Sequence, residues 1–182
     1  MPHRRFIFDA PDRFVADALG QPGHRTFYLQ AAQGRRIVTV VLEKAQVAVL
    51  AERLGQLIEE VERRGVALLA GTDSNAAARL DEPVIEAFRV GTMTLTWDGP
   101  TEALVVQARE ATGEDDDDED PDVDEAEDGP DVLQVRLTAP AARGFIAHAA
   151  RVMAAGRPPC PLCGLPLNPE GHVCPRRNGY MH

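Results

Sequence analysis

The sequence predicts an α+β fold in which a mainly antiparallel sheet is covered by two helices and followed by a small zinc-knuckle tail. Three observations predict it. Strand-like segments of alternating or β-branched residues occur in both halves of the chain, an amphipathic helical pattern ends each half, and all three cysteines fall in the last 23 residues. With 182 residues, of which 44% are hydrophobic, the chain is long enough for one core with an appendage.

The chain opens with a strand and a short helical turn. Residues 5–8 are an apolar run that ends at Asp9 and predicts the first strand. Asp12 is placed to cap a short helical turn that continues to Ala18. The Gly and Pro residues that follow directly should end this turn.

A hairpin and a helix complete the first half. Residues 26–32 and 36–43 are rich in aromatic and β-branched side chains and are separated by Gln33-Gly34, which is typical of a hairpin. From Val47 the apolar residues recur at helical spacing, and Gly65 is a natural end for this helix. Its apolar face contains Leu50, Leu54, Leu57, Ile58 and Val61.

The second half repeats this order. After Asp73-Ser74-Asn75, which is suited to cap a short helix through Leu80, residues 88–97 alternate threonine with apolar side chains and predict a strand. Residues 103–109 and 132–138 predict two more strands, and Pro140 opens a helix that ends at Gly156. The apolar face of that helix contains Phe145, Ile146, Ala149, Val152 and Met153.

The two halves resemble copies of one βββα unit. Residues 28–31 match 105–108 at an offset of 77, and residues 40–42 match 135–137 at an offset of 95. The difference of eighteen residues is the length of the acidic run 114–131. We therefore predict two repeats around a pseudo-twofold axis, with the acidic run inserted at the tip of the second hairpin.

These boundaries divide the chain into two parts. An α+β domain covers residues 1–157, with a first repeat over 1–65, a second over 84–156 and a disordered acidic insertion over 114–131. A zinc-knuckle tail covers 158–182.

The negative charge of the protein is local. The net charge is −10, but the run 114–131 carries thirteen acidic residues and no base, which leaves 16 acids against 19 Lys and Arg elsewhere. The body is therefore mildly basic. The composition of the run is typical of a disordered, solvated loop. The more specific alternative is that the run mimics a polyanion and binds a basic face of the same protein or of a partner.

The cysteines predict a structural zinc site. The spacing is C-x2-C, eight residues, then H-x-C, and it brings three thiolates and one imidazole within reach of a tetrahedral ion. Four protein ligands leave no position open for a substrate, and Gly164 suits the tight turn of a zinc knuckle. A C-x-x-C redox pair is the alternative, although no thioredoxin-like βαβ pattern surrounds it. The predicted ligands are Cys160, Cys163, His172 and Cys174.

The tail also carries positive charge, which bears on the choice of partner. Arg151 and Arg157 precede the first ligand, and Arg176-Arg177 follow the last. Phosphate or nucleic-acid contact is compatible with these residues, but Tyr180 is the one ring there to stack on a base. A protein partner is favoured over nucleic acid.

A second candidate site lies near the first strand. Asp9, Asp12, His24 and Arg25 are close in sequence, and a carboxylate beside histidine and arginine can perform acid–base work or bind an acidic or phosphorylated metabolite. The alternative is that these residues form an ordinary surface ion pair without a functional role. No P-loop, G-x-S-x-G or G-x-G-x-x-G pattern accompanies these residues.

Three segments of the chain carry a family resemblance. They are Phe6-Ile7-Phe8-Asp9-Ala10-Pro11-Asp12-Arg13-Phe14, residues 23–31, and residues 160–180 with the Cys-Pro-Leu-Cys-Gly and His-Val-Cys-Pro-Arg-Arg-Asn-Gly-Tyr segments. On these segments the chain resembles an uncharacterised actinobacterial family described as repeat proteins of unknown function. The resemblance implies the repeat and a cytoplasmic location, and it carries no activity.

These observations favour a zinc-binding protein that acts as a non-enzymatic adaptor. Clustered cysteines fit metal ligation in a reducing compartment, and the chain lacks both a long apolar run and a signal peptide, so we expect a cytoplasmic protein without a membrane span. An enzyme or metabolite binder that uses the second candidate site is the alternative.

Overall fold

The computed structural model describes residues 3–72, 79–113, 129–167, 171–174 and 176. These residues contain one sheet of seven strands and two long helices. In chain order they are β1 (Arg5–Asp9), β2 (Arg13–Leu19), β3 (Thr26–Gln33), β4 (Arg36–Leu42), α1 (Lys44–Arg63), β5 (Glu86–Asp98), β6 (Ala103–Glu110), β7 (Val132–Leu137) and α2 (Ala139–Ala154).

The predicted fold class is confirmed. The sheet order is β1-β7-β6-β5-β4-β3-β2, and four of its six pairings are antiparallel. The pairs β4–β5 and β1–β7 are parallel. Both helices pack on one face of this sheet, where their apolar sides join the core.

Both predicted helices are present, and α1 begins three residues before the Val47 at which its apolar pattern starts. α1 is preceded by Glu43, whose backbone N–H donates to Gln46 Oε1 at 2.8 Å in a capping box, and is followed by Gly65 at a φ of 90°. α2 begins after Thr138, whose hydroxyl accepts from the Ala141 amide. Within the described residues, neither helix combines the length and apolar composition that crossing a bilayer requires.

The place that the sequence assigns to the first strand is wrong, and the pseudo-twofold axis stays a prediction. Strands β2–β3–β4 before α1 and β5–β6–β7 before α2 form two units side by side, and β4 and β5 meet in parallel at their boundary. A twofold axis perpendicular to the sheet at this boundary would make those two strands antiparallel, whereas an axis that runs along the curled sheet leaves them parallel. The two units therefore have the same orientation, and β1, which the sequence assigns to the first, lies beyond β7 at the far edge.

The helical turn predicted from Asp12 to Ala18 is also wrong. These residues include β2, which pairs antiparallel with β3 from Arg13↔Ala32 to Leu19↔Thr26. Phe14, Val15 and Ala16 are all buried, because this strand is covered on both faces. A strand covered on both faces loses the alternation that would reveal it in the sequence. The short helix predicted to start at residues 73–75 lies outside the described residues.

The sheet cannot be flat. Laid flat, seven strands would place β1 and β2 about 29 Å apart. Only residues 10–12 connect them, however, and four Cα steps cover at most about 14 Å. The sheet must therefore curl until its two edges meet at one corner. Ala10 forms that corner with a φ of 48°, a left-handed conformation that is unusual for a residue other than glycine.

Side chains from the β3–β4 hairpin close this corner. Gln33 Nε2 donates to the Asp9 carbonyl at 2.8 Å, and Arg36 Nη1 donates to the Ile7 carbonyl at 2.8 Å. The Asp12 carboxylate accepts from the Gly34 amide at 2.7 Å instead of capping a helix. Two carbonyl groups on the free edge of β1 are thus hydrogen-bonded without a neighbouring strand.

The core fills the concave side of the curled sheet. Phe14 of β2 stacks on Phe145 of α2 with ring centroids 4.9 Å apart, so α2 lies beside the edge strand. His148 is buried on the same helix. The largest fully buried side chains are Phe8, Leu29, Leu54, Leu104, Leu133, Leu137 and Phe145.

A polar network covers the outer face of β2–β4. Gln30 is 1% exposed, and its amide nitrogen donates to Thr39 Oγ1 at 2.9 Å while its oxygen accepts from the Asp81 amide at 2.8 Å. Arg13 pairs with the Asp81 carboxylate and also donates to Gln30. The connection from α1 to β5 is therefore tied to the sheet by hydrogen bonds rather than by apolar packing alone.

Candidate metal centre

The segment that follows α2 forms a small knuckle. Pro159 and Pro166 make an antiparallel bridge, flanked by hydrogen bonds from Cys160 N to Leu165 O at 2.7 Å and from Leu167 N to Pro158 O at 2.8 Å. Between them the chain turns at Gly164, whose amide donates to the Cys160 carbonyl at 2.8 Å and whose φ is 73°. Glycine adopts this conformation at little cost, so the turn is well specified.

The knuckle brings the four predicted ligands together. Their ligand atoms all lie within 4.8 Å of one another. Cys160 Sγ is 4.0 Å from Cys174 Sγ, and Cys163 Sγ is 3.2 Å from His172 Nε2. A tetrahedral ion with bonds of about 2.3 Å to sulfur places two sulfurs about 3.8 Å apart. The spacing therefore fits one metal ion held by all four residues.

The cluster is shielded from solvent on its cysteine side. Cys160 and Cys174 are buried, while Cys163 and His172 are half-buried, and none of the three cysteines forms a disulfide. His172 Nε2 faces the sulfurs, so Nε2 is the atom that would bind a metal, and Nδ1 would then carry the proton. Solvent therefore approaches the cluster from the side of Cys163 and His172.

Backbone amides tune the thiols. Amides of Cys163 and Leu162 donate towards Cys160 Sγ and lower the pKa of that thiol. The amide of Leu165 acts to lower the pKa of Cys163, but burial and the neighbouring sulfurs outweigh it and raise that pKa. The Cys160 thiol therefore loses its proton more readily than an ordinary cysteine, and a bound cation would offset the repulsion between the sulfurs.

Comparison with protein families decides which family the chain belongs to. The profile of a family described as a protein of unknown function, DUF3090, matches residues 6–174. The chain belongs to the DUF3090 family. The match extends from the first strand to the last of the four ligands. Searches of curated proteins and of solved structures found no match.

In this DUF3090 protein, the second candidate site divides into two pairs. Asp9 and Asp12 lie at the corner between β1 and β2, where Asp9 Oδ1 is 3.2 Å from Arg136 Nε. His24 and Arg25 lie in the β2–β3 turn, at the other end of β2. The six residue steps of β2 between these ends span about 20 Å. The structure therefore does not bring the four side chains into one cluster.

Arg25 instead meets cations from distant parts of the chain. Its Nη2 donates to the Val152 carbonyl at 3.2 Å, near the end of α2. Lys44 of α1 approaches Gly156 next to Arg25, and Arg157 lies against Gly23 of the β2–β3 turn. Sequence reasoning missed this group, because its members are separated by up to 132 positions. The one local signal is that Lys44 is the single lysine of the chain.

The acidic run joins β6 to β7, and its last member is structural. Asp131 is 8% exposed, and its carboxylate accepts from the Arg4 backbone and guanidinium. Asp131 thus belongs to the pairing of β1 with β7 rather than to a solvated loop. Residues 114–128, which carry the rest of the run, lie outside the described residues, as do Arg177 and Tyr180 of the tail.

Proposed function

We propose that this DUF3090 protein is a zinc-binding, non-enzymatic adaptor whose metal shapes a docking element for a protein partner. The observation that carries the proposal is the convergence of four thiol and imidazole ligand atoms within 4.8 Å. The proposal treats the tail as the binding element and the curled α+β domain as the base that presents it.

The donor set supports zinc. Thiolates and imidazole favour zinc over the hard cations, which prefer oxygen ligands. Four protein ligands complete a tetrahedral shell, so the ion has no open position for a substrate and acts structurally. A segment this short cannot bury enough apolar surface to fold alone, and metal binding supplies the missing free energy.

The burial of the first cysteine argues against a redox pair. The attacking thiol of a C-x-x-C pair must be exposed to reach its target, but Cys160 is 6% exposed. A redox pair formed by Cys160 and Cys163 alone would also leave the approach of His172 and Cys174 to these two thiols unexplained. Three free cysteines are compatible with a reducing compartment, which supports the cytoplasmic location that we propose.

The tail offers apolar side chains to a partner. Leu162, Leu165 and Val173 are 52%, 50% and 79% exposed, and all three lie within the metal-binding segment. Arg176 Nη1 donates to the Leu162 carbonyl at 3.0 Å, which holds a positive charge beside them. Apolar side chains next to a fixed cation suit a partner surface with an apolar centre and a carboxylate rim.

The split of the second candidate site favours binding over catalysis. Acid–base chemistry requires the acid, the base and the substrate within hydrogen-bond reach of one another. Asp9 and Asp12 occupy one end of β2, and His24 and Arg25 occupy the other. Each pair also makes contacts that serve the fold, such as Asp12 with Gly34 and Arg25 with Val152.

The test compares partner capture by two matched variants. Val173→Asp changes the exposed apolar group between two ligands, and Val49→Asp makes the same change on the exposed side of α1, where Val49 is 50% exposed. We expect a specific partner, identified by cross-linking and mass spectrometry and confirmed with the purified protein, to bind the wild type and Val49→Asp but not Val173→Asp. Zinc content is measured in all three proteins. Equal binding by all three, with zinc retained, would contradict the docking role.

A further inference from the structure

We propose that the corner where the β2–β3 turn, the start of α1 and the end of α2 meet binds a phosphate-bearing small molecule. Lys44 Nζ lies 3.5 Å and Arg25 Nη1 3.9 Å from the point where a side chain at Gly156 would begin. Two cations from distant segments thus converge on a backbone position without a side chain. Two like charges that approach one point repel each other, and an anion bound between them would offset that repulsion.

These two cations lack the ion pairs that several other basic residues of the body form. Several arginines form ion pairs, including Arg89 with Glu43 at 2.7 Å and Arg143 with Glu62 at 2.7 Å. Among the described residues, neither Arg25 nor Lys44 forms an ion pair with a carboxylate. Their charge is therefore available to an anion from outside the chain.

The fold fixes the arginine and leaves the lysine adjustable. Arg25 Nη2 donates to the Val152 carbonyl, and the guanidinium lies 5.4 Å from the centre of the Phe27 ring. Its Nη1 then faces the glycine. Lys44 is exposed at the first position of α1. Among the residues that the structure describes, its side chain makes no hydrogen bond, so it can adapt to a ligand. A fixed planar donor beside a mobile point charge is a common way to hold a phosphate.

Neighbouring groups add to the positive potential. The Arg157 side chain lies 3.8 Å from the point where a side chain at Gly23 would begin, so it reaches the turn that carries His24 and Arg25. α1 also begins at Lys44, but the Glu43 carboxylate accepts from the Gln46 backbone amide at this end and offsets the helix dipole, so the side-chain cations supply the positive charge of the corner.

Two alternatives explain less of this geometry. Cations at the end of α2 stabilise its exposed carbonyls, which accounts for the contact of Arg25 with Val152, but Lys44 donates to none of them. Binding of single-stranded nucleic acid uses exposed rings that stack on bases, but Phe27, the ring at this corner, is 6% exposed. A small phosphorylated molecule fits the cations without needing a stacking surface.

The test is calorimetric titration with pyrophosphate and with inorganic phosphate as probes. We expect saturable binding of pyrophosphate by the wild type, weakened at least about tenfold by Lys44→Gln, because a hydrogen bond to a charged group is lost. Gly156→Ala changes no charge but places a methyl group 3.5 Å from Lys44 Nζ, so it should also weaken binding. Arg53→Gln removes one exposed positive charge from the opposite side of the same helix and should change the affinity by less than about twofold.

Each other outcome overturns the proposal. Absence of saturable binding refutes it, and so does equal weakening by Arg53→Gln and Lys44→Gln, because general charge attraction would then suffice. Tighter binding of single-stranded RNA than of pyrophosphate would reassign the corner to nucleic acid.

Thermal unfolding is measured for every variant, and if Gly156→Ala does not fold, the comparison of Lys44→Gln with Arg53→Gln decides. The proposal does not depend on the metal or on docking, since zinc content should be the same in all these proteins.

Discussion

Arg4 and Asp131 join the first strand of the chain to the strand that follows the acidic run. The Arg4 backbone amide donates to Asp131 Oδ1 at 2.7 Å, and Arg4 Nε donates to Oδ2 at 2.8 Å. In return, the Val132 amide donates to the Arg4 carbonyl at 2.9 Å. One carboxylate thus sets the register in which β1 joins the sheet beside β7.

Asp131→Ala should destabilise the protein. The substitution leaves a backbone donor and a guanidinium without their acceptor, and losses of this kind cost about 2 kcal/mol in free energy of unfolding. Asp128→Ala, in the acidic run itself, should change this free energy by less than about 0.5 kcal/mol. Urea unfolding of both variants measures the difference. Equal effects would show that Asp131 contributes only its charge.

Arg36 closes the corner at which the two edges of the sheet meet. It donates to the Ile7 carbonyl, and its guanidinium lies 4.5 Å from the centre of the Phe8 ring. Arg36→Ala should therefore lower the free energy of unfolding by about 1–2 kcal/mol, since a backbone acceptor and a cation–π contact are lost together.

The neighbouring arginine is the control for that change. Arg35 is exposed in the same β3–β4 turn, and Arg35→Ala should be nearly neutral. Hydrogen exchange of the β1 amides locates the effect, because opening of the corner should raise exchange in β1 before it does so in β5. Uniform loss of protection over the whole sheet would contradict a local role for Arg36.

The ion pair of Asp98 with Arg136 makes part of the stability depend on pH. The hydrogen bond from Arg136 is the main cause that lowers the pKa of Asp98, and contact with Thr101 adds to it. A carboxyl group whose pKa is lower in the folded state contributes stability that is fully present above its unfolded pKa, about 3.9. That contribution is lost as the pH falls through the lower, folded pKa.

Asp98→Asn tests this dependence. The variant should be less stable than the wild type at neutral pH, and the gap should be constant down to about pH 5. Below about pH 4 the gap should shrink, because the wild type then loses the same charge. Urea unfolding across this range measures it. A gap that stays unchanged at the acid end would show that Asp98 acts through its shape rather than its charge.

The parts of the fold that the sequence revealed are those that bury one face. The threonines at 92, 94 and 96 alternate with half-buried Met93, Leu95 and Trp97, and α1 shows its apolar stripe for the same reason. β2 was missed because Val15 and Phe14 are buried on opposite faces, and because Asp12 after Pro11 resembles a helix cap. Local patterns report how many faces are covered, but not what covers them.

The second limit on prediction from the sequence was the long-range arrangement of the strands in the sheet. The parallel contact of β4 with β5 and the placement of β1 beside β7 depend on which edges meet after the sheet curls, which no local pattern records. The metal ligands were predictable because Cys160, Cys163, His172 and Cys174 are close in sequence. The cations at Gly156 were not, because Arg25 and Lys44 come from separate segments.

The four ligands make a prediction about metal content that mutation can check. Cys163→Ser should abolish stoichiometric zinc binding, because the hydroxyl is a poor substitute for a thiolate. Val173→Ser changes an exposed residue between His172 and Cys174 and should retain the metal. Elemental analysis of both variants checks this, and equal zinc content would show that Cys163 is not a ligand.

X-ray absorption spectroscopy of the purified full chain at the zinc edge, combined with elemental analysis, tests the central claim most directly. We predict one zinc per chain with three sulfur ligands and one nitrogen ligand, with zinc–sulfur distances of about 2.3 Å. A folded chain that contains no zinc, or a zinc ion that retains a water ligand, would contradict a closed structural site.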